Sequence, residues 1–174
     1  MPMASYWERA EGSTLRQGDY LPDCYLPVFG PDITPGKTEQ IPVGLSNLII
    51  LTQSCDLENK NLTHVALSPI YSVEEFTKEN PQYKADKLNL IRAGRIEGLH
   101  LLASQTEPEK PRKALIVDFR QVYSLPYEYL TTRAAAIGSR WRLCSPFLEH
   151  FSQAFARFYM RVGLPSQIPK FTSE

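Results

Sequence analysis

The sequence lacks a net charge of either sign. Its 174 residues carry 19 basic and 19 acidic side chains, together with three histidines. This balance excludes a polybasic protein that coats nucleic acid by bulk charge, and it excludes an acidic disordered tail. Apolar residues make up 43% of the chain, a share typical of globular proteins, so the sequence can bury a core within a single domain.

Cysteines are few and unpaired in the sequence. Cys24, Cys55 and Cys144 lie far apart, and no Cys-x-x-Cys motif occurs. We therefore expect neither a disulfide framework nor a zinc site, and a reducing cytoplasm is the predicted compartment. The N-terminal residues lack the apolar segment of a signal peptide. No apolar run approaches the roughly 18 residues of a membrane span, so no membrane partner is expected.

The motifs of common cofactor and catalytic sites are absent as well. The sequence contains no Gly-x-Gly-x-x-Gly, no Walker loop, no His-Glu-x-x-His and no Gly-x-Ser-x-Gly. Each of these motifs places specific groups around a phosphate, a metal or a nucleophile. We therefore expect no cofactor and no metal.

The neutral total hides an asymmetry of charge along the chain. Residues 1–111 contain 10 basic and 15 acidic side chains, a net charge of −5. Residues 112–174 contain nine basic and four acidic side chains, a net charge of +5, and seven of the nine are arginine. The asymmetry indicates either an anionic partner for the C-terminal third or pairing between the two parts within one fold.

Turn residues and apolar patterns divide the chain into short strands and helices. A capping box at Ser5–Glu8 predicts a short opening helix that ends at Gly12. The continuous apolar run Asn47–Gln53 is typical of a strand buried on both faces. Further strands are predicted at 15–21, 24–29, 63–70, 99–103, 114–117 and 122–123. Residues 72–97 are predicted to form a helical insertion.

The C-terminal helix has the clearest pattern in the sequence. Ser145 is expected to cap it and Pro146 to occupy its first position, with the helix spanning residues 145–162 and ending at Gly163. Apolar side chains recur along it at helical spacing: Phe147, Leu148, Phe151, Ala154, Phe155, Phe158, Tyr159 and Val162. This stripe must pack on another surface, either the chain's own sheet or a second chain.

These elements together predict the fold class. It is α+β and mainly β: a small, bent β-barrel with the helical insertion and the C-terminal amphipathic helix packed on it. One domain is expected over residues 1–164, followed by a tail at 165–174.

Four short segments resemble strands of the PemK/MazF-like toxins. They are Gly18-Asp19, Leu48–Thr52, Val65–Ile70 and Lys113–Ser124. The resemblance implies an SH3-like barrel, homodimer formation and a place in a bacterial toxin–antitoxin or phage-defence locus. Active members of that family cleave RNA without a metal, so the resemblance also implies a metal-independent endoribonuclease as one function.

The residues that active members use are not matched in this sequence. Their arginine before the second strand falls near Ser46, which cannot supply the cation that RNA cleavage requires. Their threonine falls on Tyr71, with Ser72 beside it. Tyr71 and Ser72 also fit a hydrophobic staple and a helix cap, and we favour this structural interpretation.

A thiol and an imidazole flank the turn after the buried strand. Cys55 and His64 would form a nucleophile–base pair if they lay opposite each other. Val65 and Leu67, however, are expected to share a core face with Ile49. Because successive side chains alternate, that register puts Cys55 and His64 on opposite faces and makes Cys55 a core residue.

The Arg-rich C-terminal third supplies the candidate binding residues. Four of them follow helical spacing and form one polar stripe on the C-terminal helix: His150, Gln153, Arg157 and Arg161. Four more lie just upstream: Arg133, Arg140, Trp141 and Arg142. Guanidinium groups with an interleaved aromatic side chain suit phosphates and bases, and they suit an acidic protein surface equally well. The alternative is that these arginines pair with carboxylates of the first 111 residues.

Three functions follow from these observations. The first is a non-catalytic binding or adaptor protein that recognises nucleic acid or an acidic protein through the Arg-rich C-terminal face. The second is a divergent endoribonuclease that uses Arg120, or Arg140 with Arg142, together with Tyr71 or Ser72. The third is a hydrolase that uses Cys55 with His64.

Overall fold

The computed structural model describes residues 5–34, 36–37, 40–59, 62–83, 86–105 and 113–160. Its elements in chain order are β1 (Trp7–Glu11), β2 (Tyr20–Pro27), β3 (Val43–Ile50), α1 (Ser54–Leu57), β4 (His64–Ser72), α2 (Val73–Glu79), α3 (Asp86–Arg92), β5 (Leu99–Ala103), β6 (Ala114–Asp118), β7 (Tyr123–Pro126), α4 (Tyr127–Ile137), β8 (Ser139–Leu143) and α5 (Phe147–Tyr159). No helix within these residues is long and apolar enough to cross a membrane.

Two antiparallel sheets form the frame of the molecule. The larger sheet has the strand order β2-β3-β4-β6-β5, and β7 pairs with β4 outside this order. The smaller sheet pairs β1 with β8. The fold is therefore α+β with antiparallel sheets, as the sequence predicts at this level. Among the described strands, the larger sheet does not close into a barrel.

Strand β4 joins three segments of the larger sheet. Its first residues, His64–Leu67, pair with β7, and its last residues, Ile70–Ser72, pair with β6. Between them, Leu67–Pro69 pairs with β3. Because one strand pairs with three neighbours, these segments of the sheet meet along β4.

The buried run of β3 separates two cores. Leu48 and Ile50 lie in a core that α4 covers, whereas Ile49 and Leu51 lie in a core that α5 covers. Leu48, Ile49 and Ile50 have no exposed surface. This burial confirms the prediction that the strand is covered on both faces, as a continuous apolar run indicates.

The predicted register between β3 and β4 is wrong. Leu67 pairs with Ile50, so it packs in the core that α4 covers. Val65 lies in the same core, while Ile49 lies on the other side of the sheet. Alternation assigns a face only when one side of a strand meets solvent. Both sides of β3 are buried, and the sequence pattern is therefore compatible with either register.

The opening helix predicted at residues 5–12 is instead strand β1. It pairs with β8 from Trp7 opposite Leu143 to Glu11 opposite Ser139. The Ser5 hydroxyl donates to the carbonyl of Trp7 at 2.6 Å instead of capping a helix. The capping box is a local signal, and pairing with a strand from the far end of the chain overrides it. The sequence patterns predict neither β8 nor helix α4.

The helical insertion is confirmed and consists of α2 and α3. Phe76 of α2 and Ile91 of α3 are buried together in a third, smaller core. Helix α3 ends at Arg92, before the predicted end of the insertion at residue 97. Gly94 follows closely with a φ of +66°, a conformation that ends helices and that glycine adopts readily.

Helix α5 begins later than the sequence predicts. Pro146 occupies the cap position, the first helical residue is Phe147, and no side chain caps this end of the helix. The expected capping role of Ser145 is therefore wrong. The predicted stop at Gly163 and the tail at 165–174 lie outside the described residues.

The aromatic stripe of α5 packs on the chain's own sheet. Phe151 has no exposed surface, and its ring centroid lies 5.5 Å from that of Phe119. Phe155 approaches the same Phe119 ring at 5.4 Å. The stripe is therefore a core element of this chain, which decides between the two alternatives that the sequence leaves open.

Candidate functional site

A groove runs along α5 on the side where this helix faces α3 and β5. Three adjoining cavities with volumes of about 350, 270 and 110 Å³ form it. His100 lines all three cavities. We call this feature the α5 groove; its polar lining includes Arg92, His100, Lys113, His150, Gln153 and Arg157. From Phe147 to Phe158 the helix rises about 16 Å, which sets the length of the groove.

The helix wall of the α5 groove is the polar stripe predicted from the sequence. His150, Gln153 and Arg157 follow spacings of three and four residues, which places them on one side of α5. All three are exposed. The fourth predicted member of the stripe, Arg161, lies outside the described residues.

The opposite wall carries two further cations. Arg92 ends α3 and is exposed, and Lys113 lies just before β6. The Lys113 ammonium is 3.7 Å from the carboxylate of Glu74, and both side chains are more than half exposed. Such an exposed pair contributes little to stability, so Lys113 is readily available to a ligand.

His100 forms the floor of the α5 groove. Its ring stacks on Phe119 and meets Phe151 edge-on, with 6.0 Å between ring centroids in both pairs. Burial, followed by the effect of the nearby His150, lowers the pKa of His100 from 6.5 to about 4. The imidazole is therefore neutral at physiological pH, where it offers one donor and one acceptor to a ligand.

Positive charge predominates in the lining of the α5 groove. Arg92, Lys113 and Arg157 are cationic, and Glu97 is the sole carboxylate among the described residues that line these cavities. Within the described part of the chain, neither Arg92 nor Arg157 forms an ion pair. Guanidinium groups with open donors bind phosphate and carboxylate oxygens in pairs. The arrangement is therefore suited to holding an anion.

Two of the predicted binding arginines lie instead in a buried cluster. Arg140 and Arg142 both donate to the carboxylate of Asp19, at 2.9 Å and 3.0 Å. Arg140 also donates to the carbonyls of Gly12, at 2.6 Å, and Thr14. The side chains of Arg140 and Asp19 have no exposed surface. Arg140 is therefore a structural residue rather than part of an exposed binding face, which corrects its predicted role.

The Gly18-Asp19 segment has a physical role in this cluster. Gly18 has a φ of +81°, and a Cβ at this position would lie 2.9 Å from side-chain atoms of Leu143 and Leu148. Only glycine fits such a close approach without a shift of its neighbours. The approach brings Asp19 beside β8, where its carboxylate accepts hydrogen bonds from both arginines.

Arg133 and Trp141 also have partners within the fold. The Arg133 guanidinium donates twice to the carbonyl of Pro22, at 3.0 and 3.1 Å, and lies 3.8 Å from the carboxylate of Asp23. The Arg9 guanidinium lies 3.7 Å above the ring of Trp141. Neither Arg133 nor Trp141 lines the α5 groove. In this upstream segment the arginines pair with the first part of the chain, as the alternative interpretation predicts.

Tyr71 and Ser72 position the start of α2. The Ser72 hydroxyl accepts from the backbone N–H of Glu75 at 3.1 Å, and the Glu75 carboxylate accepts from that of Ser72 at 2.8 Å. The rings of Tyr71 and Phe76 lie 6.0 Å apart. Both the cap and the staple are confirmed. Burial raises the pKa of Tyr71 to about 12, which suits it poorly to act as a base near neutral pH.

The guanidinium of Arg120 is paired with the carboxylate of Asp118. Its Nε and Nη2 donate to the two carboxylate oxygens of Asp118, each at 2.7 Å. Asp118 is buried, with 1% of its surface exposed. Such a two-point pair is stable, and it keeps Arg120 from acting as a free cation toward a substrate.

Cys55 and His64 do not form a catalytic pair. Cys55 lies in α1 and is exposed, which corrects the prediction of a core residue: the chain leaves the sheet before it reaches this position. Its thiol lies 3.7 Å from the side-chain oxygen of Gln53, while the His64 ring lies 3.1 Å from the Thr63 hydroxyl. No hydrogen bond joins Cys55 to His64 within the described residues.

Sequence reasoning misses three residues of the α5 groove. Arg92 and Lys113 lie apart from the C-terminal helix in the sequence, and only the fold brings them to it. His100 is a single histidine within the apolar run Leu99–Ala103. A polar residue in an otherwise apolar strand is the signal that points to it, since burying an imidazole is costly.

No protein-family model matches this chain, and no curated protein matches it. Among the described residues, no group of three or more His, Cys, Asp or Glu side chains is placed to hold a metal ion. The assignment of a functional site therefore depends on the geometry and charge of the α5 groove.

Proposed function

We propose that this protein binds single-stranded nucleic acid in the α5 groove, as a non-catalytic binding or adaptor protein. The observation that carries the proposal is the convergence of Arg92, Lys113, His150 and Arg157 on one open groove. These side chains come from three separate parts of the chain. Cations that line a groove attract a phosphate backbone and release its counterions when it binds.

Aromatic side chains beside the cations favour nucleic acid over an acidic protein. Tyr6 and Phe147 stack with 3.5 Å between ring centroids and 12° between ring planes, and both line the largest of the three cavities that form the α5 groove. Aromatic groups next to cations suit the alternation of bases and phosphates in a single strand. A concave groove also fits a flexible single strand better than the rigid, convex backbone of a duplex.

The proposal includes a relationship to the PemK/MazF-like proteins and an SH3-like arrangement of the larger sheet. Support comes from the buried strand β3, from the way β4 joins three segments of the sheet, and from the Gly18-Asp19 turn. On this basis the protein acts in the bacterial cytoplasm, within a toxin–antitoxin or phage-defence locus. The free cysteines are consistent with a reducing compartment. The genes that neighbour its own gene test this part of the proposal.

Binding without cleavage is favoured because the catalytic candidates serve other roles. Tyr71 and Ser72 hold a helix start, Arg120 is paired with Asp118, and Arg140 is buried. None of these residues lines the α5 groove. We therefore expect RNA to stay intact when it is incubated with the protein in the absence of metal.

Fluorescence anisotropy with labelled single-stranded RNA and DNA, and with an acidic peptide, tests the proposal. We expect the oligonucleotides to bind, with an affinity that falls as salt rises. The variant with Arg92→Glu and Arg157→Glu should lose this binding. The matched control carries Lys78→Glu and Lys87→Glu, which change the net charge equally at exposed positions outside the groove and should preserve most of it.

Two outcomes would overturn the proposal. Wild-type protein that captures no oligonucleotide even at low salt would remove nucleic acid as the ligand. Capture of the acidic peptide alone would instead identify the partner as an acidic protein.

A further inference from the structure

The three cavities of the α5 groove follow one another in a line. The cavities of about 350 and 270 Å³ share Arg92 and His150 in their linings. The cavities of about 270 and 110 Å³ share Ala154 and Arg157. Among the described residues, the first and the last of these cavities have only His100 in common. We therefore call the three, in this order, the wide cavity, the middle cavity and the end cavity.

The two arginines of the α5 groove meet in the middle cavity. Arg92 and Arg157 both line it, whereas of these two only Arg92 lines the wide cavity and only Arg157 lines the end cavity. Two guanidinium groups at one cavity offer several donors to the oxygens of a single phosphate. The middle cavity is therefore the part of the groove best suited to a phosphate.

The lining of the end cavity is mainly apolar. It includes five apolar side chains: Ile96, Leu99, Phe119, Ala154 and Phe158. Its charged or polar side chains are those of Glu97, His100 and Arg157. A carboxylate such as that of Glu97 repels a phosphate, but it accepts hydrogen bonds from the N–H groups of a base. The end cavity therefore suits the uncharged base of a nucleotide.

Packing within the chain holds the wall of the end cavity in place. Gly98 has a φ of +81°, and a Cβ at this position would lie 3.0 Å from the ring of Phe158, so the backbone lies directly against that ring. The Tyr159 hydroxyl donates to the carbonyl of Phe119 at 3.0 Å, which ties the end of α5 to the sheet. A cavity whose walls are already ordered loses little conformational entropy when a ligand enters.

We infer that the end cavity binds one pyrimidine base of the strand, with the adjoining phosphate between Arg92 and Arg157 in the middle cavity. An apolar cavity of about 150 Å³ holds a single benzene ring. The end cavity, at about 110 Å³ and adjoining the middle cavity, is close to this size and too small for the fused rings of a purine. The inference rests on the proposed function, because it names the part of the bound strand that this end of the groove holds.

His100 is placed to recognise the edge of this base. It lines both the middle and the end cavity. Because the pKa of its imidazole is lowered to about 4, the ring stays neutral and carries one donor and one acceptor. The unstacked bases of single strands are recognised through hydrogen bonds of this kind along their edges.

Anisotropy titrations with three labelled strands of equal length test the inference. The strands are oligo-dT, oligo-dA and an abasic strand that keeps every phosphate but lacks the bases. We expect the wild type to bind oligo-dT about tenfold more tightly than the abasic strand, and more tightly than oligo-dA.

A matched pair of variants on α5 separates the end cavity from the rest of the groove. Ala154→Leu fills the end cavity and should weaken oligo-dT binding about tenfold, while the abasic strand, which depends on phosphate contacts, should bind as before. Ala156→Leu makes the same change at an exposed position that lines none of the three cavities. This control should preserve the affinity for both strands.

Several outcomes would overturn the inference. Equal binding of oligo-dT and the abasic strand would do so and leave the proposed function in place, whereas a wild type that binds none of the strands would remove both. Tighter binding of oligo-dA than of oligo-dT would exclude a pyrimidine. Ala154→Leu should not weaken both strands equally, and it should not leave oligo-dT binding unchanged; either result rejects the end cavity as the base site.

A measurement on the wild type decides the question if circular dichroism shows that Ala154→Leu does not fold. The amide resonance of Gly98, in the wall of the end cavity, is followed by nuclear magnetic resonance during titration with each strand. It should shift with oligo-dT and stay in place with the abasic strand. Equal shifts with both strands would reject the inference.

Discussion

Arg140 and Arg157 come from the same Arg-rich third of the sequence, yet the fold gives them opposite surroundings. The Arg140 side chain is fully buried against Asp19, in a cluster with Arg142. Arg157 is exposed on α5, lines the groove and has no ion pair within the described residues. The Arg-rich third thus holds two kinds of arginine, one paired with a carboxylate inside the fold and one available at the surface.

The different surroundings of Arg140 and Arg157 explain what the asymmetry of charge along the chain means physically. The paired arginines join distant parts of the chain, because β8 carries Arg140 and Arg142 to the carboxylate of Asp19. Unpaired arginines keep an electrostatic potential that reaches a ligand. Removing a buried arginine should therefore lower the free energy of unfolding, whereas removing an exposed arginine should weaken the binding of the ligand.

The largest effect is expected for Arg140→Ala. This change leaves the buried Asp19 carboxylate with one guanidinium fewer, removes the guanidinium donor from the Gly12 carbonyl and leaves the Thr14 carbonyl with only the donor from Arg142. Breaking a buried ion pair from one side costs about 3–5 kcal/mol in the free energy of unfolding. Urea denaturation measures this loss. Arg157→Ala is the control, and a larger loss for Arg157→Ala than for Arg140→Ala would reverse the comparison.

The second effect concerns pH and the floor of the α5 groove. Between pH 6.5 and about 4 the unfolded chain binds a proton that the folded chain does not, because the pKa of His100 falls to about 4 on folding. The free energy of unfolding should therefore decrease as the pH falls through this window, by up to about 3 kcal/mol. Urea denaturation at a series of pH values measures the decrease.

A matched pair of variants isolates the contribution of His100. His100→Phe removes the titrating group and should flatten this part of the pH profile. His64→Gln alters an exposed histidine and should leave the profile as it is. If the His100→Phe profile kept the wild-type slope, the groove floor would not be the source of the pH dependence.

The third effect concerns binding at the exposed arginines. Arg92→Gln and Arg157→Gln should each weaken oligonucleotide binding about tenfold or more, since a hydrogen bond to a charged group contributes about 1.5–3 kcal/mol. Each should change the free energy of unfolding by less than about 0.5 kcal/mol. Anisotropy titration and urea denaturation of the same samples separate the two quantities. Full binding by both variants would show that the ligand contacts another surface.

The smallest effect concerns Ser72 and Ser145, two serines that the sequence predicts to cap helices. Ser72 caps α2 through a reciprocal pair of hydrogen bonds, whereas no side chain caps α5 after Ser145. Ser72→Ala should lower the free energy of unfolding by about 1 kcal/mol, and Ser145→Ala should leave it nearly unchanged. Thermal melts of the two variants measure the difference, and equal shifts would contradict the assignment of the cap.

Features with local causes are the ones that the sequence predicts well. The buried strand at Leu48–Ile50, the cap at Ser72 and the apolar stripe of α5 each depend on residues within a few positions of one another. The polar stripe with His150 and Arg157 follows from the same helical spacing. These elements place one wall of the candidate site.

Contacts between segments that are distant in the sequence cannot be predicted from local sequence patterns. The pairing of Trp7 with Leu143 and the contact of Arg140 with Asp19 unite opposite ends of the chain. Arg92 reaches the groove only because α3 packs beside β5, and neither its charge nor its neighbours in sequence indicate this. The floor at His100 likewise depends on the packing of α5 over the sheet.

We propose that the α5 groove, and not the segment at 133–142, binds the ligand. Nuclear magnetic resonance of isotope-labelled protein, titrated with a single-stranded oligonucleotide, tests it residue by residue. We expect the changes in amide chemical shift to concentrate at Arg92–Gly94, at Leu99–Leu101 and at His150–Arg157. Shifts centred on Arg133–Arg142, or no shifts at all, would contradict it.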